Sequence, residues 1–440
     1  MLTRTQPGPV LWLDVEDLFL YASALARPTG IQRLAFELCR ALVMHAGGPE
    51  RRVRFVRHSL RGFRAVGWQE LLAVWEIITA PVLPRPQPER VLPQKPSLRR
   101  VVMLQQEVLR QLGRAATGPF RRGLKPELEV ADFTAAIAPG DVLMVPGSPW
   151  LPRYAERLDR LRQRHGLRAA MLAYDMLPLR HPEWCNPVLR QEFKAWTDGV
   201  LPLMDTVFAI SAATATDVEA YAAETGLALR GRVRPVAIGS GFSPAAVAGA
   251  PAVKGLPPPG SYVLMVSTIE PRKNHLLLFR VWQRLLKAMD PAAVPDLVFA
   301  GRAGWMVEDF MQMLENTGNL GGRIILLPQL DDRALAALYR GCLFTVYPSF
   351  YEGWGLPVTE SLAFGRPCII SNATSLPEAG GHLARYFDPE DTGAATRLIA
   401  DTLADRSGLA AWTEQVTREF VPVSWAQTAA SVLDGLELAL

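Results

Sequence analysis

The residues with the clearest chemical capacity lie in YPSFYEGWGLPVTESLAFGRPCIISNATSLPE, residues 347–378. Glu352 precedes Gly353 and Gly355, and Glu360 stands eight residues after Glu352. The two glycines let the backbone turn closely around a ligand. Pro357 suits the first turn of a helix, where its missing N–H would be an orphan anyway. A helix over 358–364 then carries Glu360 on its first turn. The N–H groups of Gly355, Leu356 and Val358 are expected to be free at the positive end of that helix, a site for a phosphate. With one carboxylate before the helix and one within it, the pair can hold two ends of one elongated ligand, such as a sugar and a ribose.

The elements that must position this segment alternate between strand and helix. VLWLDV (10–15) reads as a buried strand, followed by a loop with RPTGIQR and a helix over 31–45. Strands follow at 53–58, at DVLMVPG (141–147), at LRAAMLAYD ending on Tyr174-Asp175, and at TVFAIS (206–211). Helices are expected over 152–165 and 212–225. Six prolines between 81 and 96 deny regular structure there, and an amphipathic helix over 98–112 follows, so 80–130 reads as an irregular insertion. APAVKGLPPPG (250–260) reads as a linker. Beyond it come strands SYVLMVST, DLVFAG, IILLP, LFTVYPS and PCIIS, with helices over 275–289, 306–316 and 332–340 between them. SWAQTAASVLDGLELAL closes with an amphipathic helix. The reading gives two doubly wound α/β domains, 1–250 and 258–422, and a helix at 423–440 packing back on the first. Ligands of such sheets bind beyond the carboxyl ends of the strands, where the loops lie.

Composition excludes several classes. Of 440 residues, 49% are hydrophobic and 20% charged, which is globular and neither disordered nor collagenous. Cys39, Cys185, Cys342 and Cys368 form no CxxC pair, so neither a zinc ribbon nor a disulfide framework is indicated. The start lacks the basic residues and long apolar run of a signal peptide, and no 18-residue apolar run marks a membrane span. Residues 1–250 carry 32 Lys+Arg and 23 Asp+Glu, a net of +9, leaving −5 for 251–440 out of the total of +4. The basic half suits an anionic partner such as a phosphorylated lipid or a membrane surface, or is a solvated arginine-rich face. No recognition motif points to nucleic acid. No GxGxxG follows a strand, which argues against a dinucleotide oxidoreductase.

The 347–378 string, with Gly355-Leu356-Pro357, Glu360, Gly365-Arg366-Pro367 and Pro377-Glu378, resembles the retaining glycosyltransferases of family 4 and their glutamate–seven residues–glutamate motif. The resemblance implies the GT-B fold: two Rossmann-like domains facing across a cleft, with a nucleotide-sugar donor bound mainly to the second. It implies that Glu352 contacts the donor sugar, that Glu360 binds the ribose, and that backbone at Gly355 and Leu356 touches sugar or diphosphate. VSTIEPRKNHLLL (266–278) resembles the family's basic diphosphate loop, with Lys273 on the family lysine. The family arginine five positions earlier is Thr268 here, and Arg272 of the Glu-Pro-Arg-Lys-Asn variant stands ready to replace its charge. That variant resembles a subgroup of mannosyl- and rhamnosyltransferases of bacterial surface polysaccharides. Gly301 and Arg302 of GRAGW are expected to line the nucleotide site. On the acceptor side, Gly30 and Arg33 of PTGIQR resemble a shortened glycine loop. Tyr174-Asp175 stands where the family often has His-Asp, with Asp175 a candidate for positioning the acceptor. His181 is not assigned as a base.

The resemblance therefore implies a retaining transfer, most simply of mannose from GDP-mannose, onto a polyprenyl-diphosphate-linked or growing glycan. A rhamnosyl or other nucleotide-sugar donor is the alternative within the family. A non-catalytic scaffold is the alternative outside it. Asp14-Val15-Glu16-Asp17 is not suitably placed for a DxD metal motif, and no metal or other cofactor is expected. The expected location is cytoplasmic, at the inner face of the membrane.

Overall fold

The structure, a computed structural model, describes residues 8–23, 28–48, 51–59, 62–79, 131–151, 153–240, 255–328 and 330–438. The insertion at 80–130, with its expected helix, lies outside them. The chain divides into two units: Met1–Ala209 with Asp217–Val236 and Trp425–Leu440, and Ile210–Thr216 with Ala237–Ser424. The main crossing thus falls at Val236–Ala237, before the Pro- and Gly-rich stretch at 250–260.

Among the described residues, seven strands form the sheet of the first unit: β1 Leu11–Asp14, β2 Val53–Ser59, β3 Gly62–Val66, β4 Val142–Val145, β5 Arg168–Ala173, β6 Thr206–Ala209 and β7 Arg232–Pro235. Their order is β3-β2-β1-β4-β5-β6-β7. All neighbours are parallel except β2 and β3, a hairpin. Leu11 of β1 stands opposite Val53 on one side and Val142 on the other. The runs LWLD and VLMV are buried throughout, as parallel strands covered on both faces must be. Asp141, fully buried before β4, ties this centre together. Its Oδ1 accepts from Val10 N at 2.8 Å, and its Oδ2 accepts from Trp12 Nε1 at 3.2 Å and Ala138 N at 3.1 Å. The helix Trp425–Gly435 also belongs to this unit, where it packs on the helix Gly30–His45 and buries Ala429, Val432 and Leu433.

Among the described residues, the second unit has six parallel strands: β8 Tyr262–Val266, β9 Asp296–Ala300, β10 Ile324–Leu327, β11 Thr345–Tyr347, β12 Cys368–Ser371 and β13 Ala384–Phe387. Their order is β10-β9-β8-β11-β12-β13. The chain winds outward from β8 to β10 and returns to lay β11 against the other side of β8. The strand order therefore reverses between β8 and β11, the position at which open α/β sheets present a ligand crevice. The helix His275–Ala288 covers the sheet with Leu278, Val281, Trp282 and Leu285, and Trp282 Nε1 donates to Pro295 O at 2.8 Å. The helix expected over 306–316 begins only at Glu308, because Met306 sits in the left-handed region at φ 56°. Strand β3, the helix Trp68–Thr79, strands β7 and β13 and the helices Thr392–Ala404 and Arg406–Glu419 were not read from the sequence.

Replacing Asp141 by Ala would strand two buried donors, Val10 N and Trp12 Nε1, and the part-buried Ala138 N. The expected cost is about 3 kcal/mol of stability in the first unit. Urea unfolding followed by fluorescence checks it, and a loss under about 1 kcal/mol would mean the donors find other acceptors.

Candidate functional site

The loop after β8 and the loop after β11 meet because their strands are neighbours in the sheet. The first is folded by its own sequence. Pro271 opens a 3₁₀ turn over Pro271–Lys273, and Asn274 leaves it at φ 57°, a left-handed conformation that asparagine tolerates. Asn274 Nδ2 donates to Pro348 O at 3.2 Å and to Pro389 O at 3.0 Å, which fastens the loop to the end of β11. Phe350 N donates to Arg272 O at 2.8 Å. Lys273 and Arg272 therefore emerge directly against the 349–355 loop.

Glu352 is the carboxylate they meet. Its Oε1 accepts from Lys273 Nζ at 2.5 Å and from Ser349 Oγ at 2.8 Å, and its Oε2 accepts from Arg272 Nη1 at 2.8 Å. The backbone around it is fixed as well: Glu352 N donates to Thr374 Oγ1 at 3.0 Å, and Ser375 Oγ donates to Glu352 O at 2.9 Å. Arg272 also reaches Tyr351 O at 2.9 Å and Glu270 Oε1 at 2.7 Å. Burial alone would raise the Glu352 carboxyl. Lys273 and Arg272 outweigh it and hold the pKa down at about 2. Burial, with Arg272 alongside, lowers the Lys273 ammonium, against the opposite pull of Glu352 and Glu270. His275 beneath them, with its Nε2 3.1 Å from Ser267 Oγ, is held neutral by burial and by Lys273, its pKa lowered to about 3. A carboxylate so far below neutral pH is a poor proton carrier. It is well suited to accept hydrogen bonds.

Gly355 then starts the helix Leu356–Ala363 at φ 105°, where a Cβ would also lie 2.8 Å from Leu376 Cδ2. Two expectations are corrected here. The helix begins at Leu356 and carries Glu360 on its second turn. Val358 N is not free, because it donates to Gly355 O at 2.9 Å. Pro357 is the second residue of the helix, and its carbonyl accepts from Tyr347 OH at 3.2 Å. Glu360 Oε2 accepts from Tyr339 OH at 2.8 Å. Gly353, in the same loop, is buried, and Leu356 is partly open.

The loop after β9 lies alongside the 268–274 loop. Ile269 N donates to Arg302 O at 2.9 Å, and Gly304 N donates to Ile269 O at 2.8 Å. A Cβ at Gly301 would stand 2.0 Å from Ser267 O, so only glycine permits this approach. Thr268 lies in the seam, and the Arg302 side chain is exposed.

In the first unit, Gly30 opens the helix Gly30–His45, and Arg33 stands half-buried in its first turn. The Tyr174 hydroxyl lies 2.5 Å from Pro146 O and 3.3 Å from Ile31 O, so it braces the helix start against the end of β4. Asp175 Oδ1 accepts from Leu177 N at 3.1 Å and shapes the turn after β5. Two residues here escaped the sequence reading. Gln32 accepts from Thr29 N at 3.0 Å through Oε1 and donates through Nε2 to Asp17 Oδ2 at 2.8 Å. Buried Asp17, its pKa raised by that burial, lies so close to Gly147 that a Cβ there would stand 2.8 Å from Asp17 Cβ. The rest of the 14–17 acidic run is also engaged within the fold. Asp14 accepts from Tyr154 OH at 2.7 Å, with burial pushing its pKa up to about 7, and Glu16 holds Arg57 with both oxygens at 2.7 and 3.0 Å. Among the described residues, no three His, Cys, Asp or Glu side chains are placed to hold a metal ion.

Two doubly wound α/β units, one with a cation-paired glutamate and a glycine-started helix beside its switch point, define a GT-B fold. Solved structures agree: sucrose-phosphate synthase from Thermosynechococcus elongatus superposes with a TM-score of 0.59 at 18% identity, over 97% of this chain and 98% of that one. Residues 250–419 match the family described as "Glycosyl transferases group 1". The chain is 38% identical over 156 residues to O-antigen chain mannosyltransferase B of Escherichia coli, covering 36% of this chain and 39% of that protein. It is 27% identical over 265 residues to the serotype-specific mannosyltransferase WbdA of Escherichia coli, covering 58% of this chain and 32% of that one. The chain thus spans well under half the length of these relatives.

The paired Glu352 carries a pH signature. Its folded pKa of about 2 lies below the ordinary 4.5, so its stabilisation is present above pH 4.5 and is lost as the pH falls towards 2. The difference in stability between the wild type and Glu352→Gln is expected to be about 3 kcal/mol at pH 7 and to shrink below pH 4.5. Calorimetric melts from pH 7 to pH 3 measure it; a gap independent of pH would show that the cations do not hold the carboxylate.

Proposed function

We propose that this chain is a retaining hexosyltransferase that moves mannose from GDP-mannose to a growing glycan, the glycan being carried on a polyprenyl diphosphate. The observation that carries the reading is the ionised Glu352 held between Lys273 and Arg272, beside the start of the helix Leu356–Ala363. Lys273 and Arg272 are assigned to the donor diphosphate. They supply positive charge where negative charge develops as the glycosidic bond breaks. Arg272 takes the part left vacant by Thr268. The N–H groups of Gly355 and Leu356 add two donors at the positive end of a helix.

Glu352 is assigned to the sugar hydroxyls and Glu360 to the ribose. The low pKa of Glu352 favours an acceptor of hydrogen bonds over a general acid or base. Transfer then proceeds on one face of the sugar: the diphosphate departs, the acceptor hydroxyl enters on the same side, and the diphosphate takes its proton. Positioning and electrostatics supply the rate. In this reading no metal is required, since two protein cations already face the diphosphate. Gly30, Arg33 and Asp175 serve the acceptor side, with Tyr174 bracing the helix that bears Gly30. The names of the mannosyltransferase relatives support the choice of sugar, and the basic first half supports work at an anionic membrane surface. Among the described residues no helix is long and apolar enough to cross a membrane.

A thermal-shift screen against GDP-mannose and UDP-, dTDP- and ADP-sugars tests this. A ligand at 100 times its dissociation constant adds about 2.7 kcal/mol of stability. Stabilisation by GDP-mannose, weakened in Glu360→Ala, is the expected result. Stabilisation by another nucleotide sugar alone would replace mannose. No response to any of them would favour a scaffold.

A further inference from the structure

Arg272 is held by two carboxylates of unequal standing. Glu352 approaches Nη1 from the loop after β11 and is shared with Lys273. Glu270 approaches Nη2 at 2.7 Å from the same loop as Arg272 itself, two residues earlier. Glu270 is 3% exposed, against 12% for the side chain of Glu352. The turn between Glu270 and Arg272 is closed by Lys273 N donating to Glu270 O at 3.0 Å. Glu270, Pro271 and Arg272 therefore lie in one closed turn, while Glu352 reaches it from the loop after β11.

An anion that binds at Nη1 of Arg272 competes there with Glu352, which already accepts from that nitrogen and from Lys273 Nζ. It need not compete with Glu270, whose bond lies at the other guanidinium nitrogen. The Glu270 contact at Nη2 can persist when the Glu352 contact at Nη1 is given up, and keep the guanidinium oriented. We propose that Glu270 is a positioning residue: it stays on Nη2 of Arg272 when the donor diphosphate displaces Glu352, and so holds Nη1 towards the phosphate. This rests on the assignment of Lys273 and Arg272 to the diphosphate. It adds a division of labour, with one carboxylate fixed and one exchanged. A guanidinium fixed in this way loses less freedom on binding phosphate.

A double-mutant cycle separates this from a structural role. GDP, with UDP alongside, is titrated calorimetrically into the wild type, Glu270→Gln, Arg272→Lys and the double variant. If Glu270 acts through Arg272, each single variant weakens the nucleoside diphosphate about tenfold and the double variant is no weaker than either one. Effects that multiply to about a hundredfold would overturn the proposal, as would a Glu270→Gln protein that binds as the wild type does or more tightly. Should Glu270→Gln fail to fold, Glu270→Asp keeps the charge, shortens its reach and must show the same non-additivity. Failure of the wild type itself to bind either diphosphate would refute the underlying assignment, and the proposal with it.

Discussion

The charge of Glu352, partly shielded from water, stays paired, and the loops of the second unit meet around it. An ionised carboxylate largely withdrawn from water is tolerable with cations and hydrogen-bond donors in contact with it. Lys273, Arg272 and Ser349 supply them, from two loops that are distant in sequence. Those loops meet because β8 and β11 are neighbours, and they keep their register through Asn274 and the Phe350–Arg272 backbone bond. Gly301 and Gly355 remove the two side chains that would push the surrounding loops apart. The sheet, the turn and the glycines can be read as conditions for one ion cluster.

The first unit solves a similar problem with less charge. Around the start of the helix Gly30–His45, Asp17, Gln32 and Thr29 form a chain of hydrogen bonds, with Tyr174 bracing the other side. In that chain from Thr29 through Gln32 to Asp17 the donors are neutral, while Arg57 is held by Glu16.

The parallel strands were legible in the sequence because strands buried on both faces are apolar runs. The elements missed were at the margins. Strand β3 carries Arg64 within a basic stretch that reads as a solvated face, and β7 is largely open, so neither shows such a run. Met306 fits a helical pattern in sequence, yet its left-handed backbone postpones the helix. In the site, the string around Glu352 and Glu360 marked the segment, and Arg272 and Lys273 stood out as paired cations. Glu270 was invisible as a participant, since a carboxylate before proline has no pattern of its own. Gln32 and Asp17 were hidden for the same reason: their partnership spans the first loop and is set by the tertiary fold.

The helix Trp425–Gly435 lies against Gly30–His45 but follows the whole second unit in the chain. During synthesis the first unit therefore emerges early with part of its apolar surface uncovered, and waits on the ribosome until the second unit has been made. The second unit, nearly continuous in sequence, has no such delay. Order of translation and order of completion are thus inverted for these two units: the one begun first is finished last.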